Sequence, residues 1–194
     1  MDLRKNKLFI VSAPSGSGKT TLVRRILAKY SQFAFSVSAT TRQPRSNEQD
    51  GIDYYFISAE EFIQKRDQDY FLEWEEVYEG MFYGTPRSEI DRIFGEGKVP
   101  LFDLDVVGGA NLKQQFGDEA VSFFIRTPSV EALRERLIKR GTDSSEAIDK
   151  RCQKAKWEMG FEDKFDYVIV NDELETATKE LFGIIDQYLE VQHS

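Results

Sequence analysis

Blocks of apolar and polar positions alternate along the chain and predict strands and helices taking turns. Residues 8–11, Leu-Phe-Ile-Val, form an unbroken apolar run, the pattern of a strand buried on both faces. A loop rich in glycine, serine and proline occupies 13–18. Residues 19–30 then place Leu22, Val23, Ile26 and Leu27 on one side of a helix. Further strands are expected over 33–37, 54–57, 99–105, 121–125 and 167–170. Ser58-Ala59-Glu60-Glu61 has capping-box spacing and opens a helix to about residue 67. Thr85-Pro86 and Thr127-Pro128 each read as a cap followed by proline in the first helical turn. The first leads a helix to 93, and the second places Val130, Leu133 and Leu137 inward. Residues 146–159, rich in Lys and Arg, and 174–191 complete the helices, with a loop at 141–145. This order predicts a three-layer α/β fold with a parallel central sheet. Residues 36–94 break the alternation: 38–53 are polar and irregular, and 70–84 are aromatic and acidic, suited to short strands and turns. That stretch reads as a mixed α+β insertion in one domain, a size that 194 residues fit.

Composition narrows the chemistry. Hydrophobic residues make up 40% and charged residues 31%, an ordinary folded mixture. A net charge of −8 argues against a broad nucleic-acid or anionic-membrane surface, while leaving room for a small positive pocket. Neither nucleic acid nor membrane is expected as a partner. Cys152 is the only cysteine, so no internal disulfide forms, and a reduced compartment fits. The apolar stretch ending at Ala13 is too short for a signal segment or a membrane span, which points to the cytoplasm. The only histidine is His193. Histidine-based triads and zinc sites are therefore excluded, and catalysis falls to Lys, Arg, carboxylates, hydroxyls and backbone amides.

Ala13-Pro14-Ser15-Gly16-Ser17-Gly18-Lys19-Thr20 matches G-x-x-x-x-G-K-[ST] except at its first position. Glycines let backbone N–H groups turn toward a phosphate, and the following helix adds its positive N-terminal end. Lys19 can reach the β- and γ-phosphates of ATP, and the Thr20 hydroxyl can hold Mg²⁺. Ser15, Gly16, Ser17, Gly18, Lys19, Thr20 and Thr21 are thus the candidate ATP ligands. Alanine in place of the first glycine is tolerable if its backbone angles are ordinary. Asp103 and Asp105 stand at the end of a predicted strand, where P-loop enzymes use a carboxylate to order Mg²⁺ or its waters. A solvated strand terminus is the alternative for either. Thr20 and Asp103 are the candidate metal ligands, and which aspartate touches the ion directly stays open.

Arg42 and Arg45 lie three apart in a polar loop, with Tyr54 shortly after. Two guanidiniums and a phenol suit a phosphate monoester. The segment 36–45 with Asp53-Tyr54-Tyr55-Phe56, then Phe71-Leu72-Glu73-Trp74, Tyr83-Gly84 and Asp103-Leu104-Asp105, resembles the guanylate kinases in order along nearly the whole chain. The resemblance implies a P-loop fold with a GMP-binding insertion at about 36–94 and a helical lid at about 134–159. The core would then comprise about 1–35, 95–133 and 160–194. It places Arg42, Arg45, Tyr54 and Tyr83 on the GMP phosphate, and Ser38, Glu73, Thr85 and Asp105 on guanine. Guanine offers adjacent N1–H and N2–H donors, and a carboxylate such as Glu73 offers two acceptors. The 73–83 stretch is one residue longer than the family's common spacing; a bulge or a longer turn is needed to absorb it.

The resemblance also places Arg136, Arg140 and Arg151 on the ATP phosphates and Asn171 beside adenine. The implied activity is transfer of the ATP γ-phosphate to GMP, and to dGMP as a further acceptor, with Mg²⁺. Lys19, Arg42, Arg136, Arg140 and Arg151 are its candidate catalytic residues. Two alternatives remain at this level. One is a P-loop kinase of the same fold with another phosphorylated acceptor. The other is a non-catalytic guanylate-kinase-like binding module, against which the intact Gly16, Gly18, Lys19 and Thr20 argue. Oligomeric state is not legible.

Overall fold

The structure, a computed structural model, describes residues 7–46, 48–141 and 143–190. Val191, the expected end of the last helix, and His193 lie outside them. In chain order the elements are β1 (Leu8–Ser12), α1 (Lys19–Lys29), β2 (Phe33–Phe35), β3 (Ala39–Thr40), β4 (Tyr55–Phe56), α2 (Ala59–Asp67), β5 (Phe71–Tyr78), β6 (Met81–Pro86), α3 (Ser88–Gly95) and β7 (Val99–Leu104). They continue with α4 (Val106–Phe116), β8 (Ala120–Arg126), α5 (Val130–Arg140), α6 (Ser145–Glu158), β9 (Tyr167–Val170) and α7 (Leu174–Glu190). A five-stranded sheet has the order β2-β7-β1-β8-β9, and a four-stranded sheet the order β4-β3-β6-β5. The α/β class and the parallel central sheet are as the alternation predicts. Two compact units emerge: 1–31 with 103–194, and 32–102.

In the first unit β1 pairs in parallel with β8, and β8 with β9. All five residues of β1 are buried, which explains its unbroken apolar run. Leu22, Val23 and Ile26 of α1 are buried, and so are Ala177, Leu181 and Ile185 of α7. Each of the leucine, isoleucine and valine side chains contributes about 1.5–3 kcal/mol on leaving water, and the alanine methyl less. Leu133 and Leu137 of α5 form a separate small core with Ile148, Cys152 and Ala155 of α6. That core joins the two helices into a hairpin whose last turns reach the phosphate loop.

In the second unit β2 and β7 pair in parallel. β5 and β6 form an antiparallel hairpin, β6 pairs with β3, and β3 with β4. Phe62 stacks between Phe71 and Phe82, with ring centroids 4.4 Å and 5.2 Å away. One extra residue is absorbed on β5 between the Glu76↔Phe82 and Tyr78↔Met81 pairs.

Several boundaries differ from the sequence pattern. Thr85 and Pro86 end β6 and do not open a helix; α3 begins at Ser88. Thr85 is committed to the hairpin register opposite Glu73. The cap of α5 is Ser129, two residues beyond Thr127, because Ser129 accepts the Ala132 N–H. The second strand stops at Phe35, since the Val37 N–H turns to the Glu89 carboxylate. The polar stretch 38–53 contains β3. β7 ends at Leu104, and Asp105 caps α4, to which the pattern assigned nothing.

Candidate active site

β1 delivers the chain into the loop at Ala13, and α1 begins at Lys19. Gly18, at the N-cap of α1, is left-handed at φ 91° and offers no side-chain cap. The first-turn amides of α1 therefore lack the side-chain acceptor that most helices supply, and no acidic residue lies in that turn. Such an end is built to receive an anion. Ala13 is buried, and Asp69 is the only non-glycine residue of positive φ among the described residues. The backbone at Ala13 thus accommodates a methyl where the motif has glycine.

A cleft of about 580 Å³ opens over this loop, lined by Ser15, Gly16, Gly18, Lys19, Thr20 and Thr21 together with Asp105, Arg140, Lys154 and Glu158. Lys19 Nζ is 2.6 Å from Asp103 Oδ1 and donates to the Leu104 carbonyl at 2.5 Å. Asp105 accepts the Val107 and Gly108 N–H groups at 2.8 Å and 2.9 Å. Its carboxylate thus holds the start of α4 beside the loop. Asn171 is buried and donates from Nδ2 to the Ser17 carbonyl at 2.7 Å, bracing the loop from behind. Of the expected lid arginines, Arg140 lines the cleft. Arg136 donates to the Asp172 carbonyl at 2.7 Å, and Arg151 lies 3.5 Å from Asp143.

The second unit gathers most of the remaining candidates. Arg42 donates to the Tyr83 hydroxyl at 3.1 Å, to the Gln43 carbonyl at 2.7 Å and to Glu48 Oε1 at 2.9 Å. Its guanidinium lies 5.4 Å from the Tyr54 ring centre, and the Tyr54 and Tyr83 rings meet edge to face at 5.9 Å. The hydrogen bond from Arg42 outweighs burial and holds the Glu48 carboxyl below its ordinary range. The same bond raises the Arg42 pKa. Arg45 contributes its backbone N–H to Glu48 at 2.8 Å and leaves its side chain largely exposed. On the neighbouring hairpin the Thr85 hydroxyl donates to Glu73 Oε1 at 2.6 Å. Ser38 presents its carbonyl to the Tyr55 N–H at 2.9 Å. Asp105 belongs to the unit that carries the phosphate loop.

The family model described as guanylate kinase matches residues 5–188. The chain belongs to the guanylate kinase family. It is 48% identical over 183 residues to a guanylate kinase of Bacteroides fragilis, covering 94% of this chain and 90% of that one. A Porphyromonas gingivalis guanylate kinase is 47% identical over 184 residues, covering 94% and 98%. The crystal structure of guanylate kinase from Anaplasma phagocytophilum superposes with a TM-score of 0.74 at 29% identity, covering 95% and 86%. The chain is accordingly an enzyme, a nucleoside monophosphate kinase.

Sequence reasoning passed over three charged residues at these two sites. Glu48, three residues after Arg45, orients Arg42, and nothing in the sequence sets it apart from Asp50 and Asp53 of the same loop. Glu158 and Lys154 face the loop from α6. Glu158 continues the buried helical stripe of Ile148, Cys152 and Ala155. An acid at such a position is the sign of a buried partner.

Proposed function

We infer that the guanylate kinase chain transfers the ATP γ-phosphate to GMP, with the ATP phosphates in the loop cleft and GMP on the Arg42–Tyr83 and Glu73–Thr85 groups. The observation that carries the reading is the open first turn of α1 with Lys19 beside it, over a cleft also lined by Arg140. Amides, an ammonium and a guanidinium there match the charge of a triphosphate.

A phosphate monoester loses its second proton near pH 6. At neutral pH GMP already carries an oxygen nucleophile, and no general base is required of the protein. Alignment and charge compensation remain as its tasks. Arg42, already held by Tyr83 and Glu48, pins the acceptor phosphate, assisted by Arg45 and Tyr54. Glu73, steadied by the Thr85 hydroxyl, reads the guanine donors, with Ser38 and Asp105 as further candidates. Lys19 and Arg140 balance the charge of the transferring group; Arg136 and Arg151 join them if the α5–α6 hairpin closes and excludes water. Asn171 supports the loop whether or not it also touches adenine.

The donor set fits Mg²⁺. Thr20 is exposed and lines the cleft and the Asp103 carboxylate lies beside Lys19, while among the described residues no three His, Cys, Asp or Glu side chains converge. That is the sparse protein ligation expected of an ion that keeps waters and phosphate oxygens. Thr20 and Asp103 would hold it, and it would neutralise charge on the β- and γ-phosphates. Release of ADP in a coupled assay with GMP, dGMP, AMP, CMP and UMP tests the reading. Turnover confined to the guanine nucleotides is expected, and equal turnover with AMP overturns it.

A further inference from the structure

Glu158 is a buried acid with no place in the chemistry above. Its side chain is 4% exposed, and its Oε2 accepts the Ser15 N–H of the phosphate loop at 3.3 Å. Its other oxygen lies 3.8 Å from Lys154 Nζ, one turn earlier on α6. Both partners are of the kind a phosphate oxygen seeks: an inward-facing amide and an ammonium. Local preference does not account for the residue. Glu158 is the last residue of α6, where the negative end of the helix dipole disfavours a carboxylate. Burial is the largest influence on it and pushes its pKa up; Lys154, the Ser15 N–H and Lys19 oppose this, and Asp105 adds to it. The seat is nonetheless fixed, because Ile148, Cys152 and Ala155 of the same helix pack against Leu133 and Leu137.

We propose that Glu158 is a positioning residue whose carboxylate takes the place of a nucleotide phosphate at the Ser15 amide until ATP arrives, and that Lys154 then passes from Glu158 to the phosphate chain. This rests on the assignment of the loop to the ATP phosphates. Two anions cannot share the Ser15 amide and the Lys154 ammonium without repulsion, so the incoming phosphate displaces the carboxylate. The end of α6 is thereby released, and with it the helix that carries Arg151. In this arrangement Glu158 keeps the loop in shape before ATP binds and opposes binding, whereas Lys154 favours it. A merely structural brace would act the other way, since its removal loosens the loop and weakens binding.

The test is calorimetric titration of Mg·ATP into the full chain and into Glu158→Gln, Lys154→Gln and Lys19→Ala, each checked for its melting temperature. Glu158→Gln is expected to tighten ATP roughly tenfold and Lys154→Gln to weaken it by a similar factor, the scale of one hydrogen bond to a charged group. Lys19→Ala is expected to weaken ATP as well. Unchanged or weaker binding by folded Glu158→Gln, with Lys19→Ala weakened, overturns this inference and leaves the loop assignment standing. Undiminished binding by Lys19→Ala overturns both. If Glu158→Gln does not fold, Lys154→Gln decides: ATP affinity equal to that of the unaltered chain overturns the inference.

Discussion

Lys19 and Asp103 are joined by an ion pair of 2.6 Å at the mouth of the phosphate loop. With the Leu104 carbonyl it fixes the position of the ammonium, so little rotamer freedom is left for the lysine to lose when a phosphate binds. Lys19→Ala should lower turnover by roughly 10²–10³, the scale of one preorganised electrostatic contact. The check is kcat at saturating ATP and GMP, with circular dichroism unchanged. Near-normal turnover would remove Lys19 from the mechanism.

Specificity is expected to rest on the Glu73 carboxylate that Thr85 steadies at 2.6 Å. Glu73→Gln replaces one of two acceptors with a donor that faces guanine N–H groups. The GMP kcat/KM should fall roughly 10–100-fold, as for a hydrogen bond to a charged group, with Mg·ATP affinity unchanged. A parallel loss for both nucleotides would indicate a folding defect instead.

The Arg42–Glu48 pair predicts a pH dependence of stability. Hydrogen bonding from Arg42 depresses the folded-state pKa of Glu48 below its ordinary 4.5. The stabilisation it contributes is therefore present above about 4.5 and is lost as pH falls through the lower, folded-state value. Compared across pH, the gap in melting temperature between the unaltered chain and Glu48→Gln should be constant from 6 to 8 and close in acid. A gap that widened in acid would mean the pair is not the cause. At neutral pH the same variant should raise KM for GMP, because Arg42 loses an anchor.

Gly84 lies against the aromatic stack of the second unit. A Cβ there would come within 3.0 Å of Phe62 Cζ and of Phe71 ring atoms. Stacked rings cannot yield as a flexible side chain would, so Gly84→Ala should destabilise the protein by about 1–3 kcal/mol. Chemical denaturation would measure it, and a loss under half of that would show that the stack repacks.

What the sequence made legible was local. The phosphate loop could be read because strand, glycines, lysine and helix are consecutive, and their chemistry needs no distant partner. The hairpin of β5 and β6 was only partly visible, since Thr85-Pro86 carries a helix-start pattern that cross-strand pairing with Glu73 and Phe71 overrides. Helix α4 was hidden by Gly108 and Gly109, which lower helix propensity. Its cap, Asp105, follows directly on a mostly apolar run and has the pattern of a strand end. Glu48 was illegible, and Glu158 showed only as an acid on a buried helical stripe, for a different reason: the partners that give them their roles, Arg42 for one and the Ser15 amide for the other, are supplied by the fold.

Asn171 extends that last point into a test. Its Nδ2 donates to the buried Ser17 carbonyl at 2.7 Å, and its own N–H is held by the Arg126 carbonyl at 2.7 Å. The loop is thus tied to the end of β9. Asn171→Ala deletes the donor and leaves the Ser17 carbonyl without it, at a cost of roughly 1–3 kcal/mol. The loop should then lose its fixed shape, and ATP affinity should fall with stability. Asn171→Asp goes further, since it sets an acceptor against the carbonyl and adds a negative charge behind the site. ATP binding should therefore be weaker in Asn171→Asp than in Asn171→Ala, as measured by titration calorimetry. The reverse order would mean that Asn171 acts on the nucleotide and not on the loop.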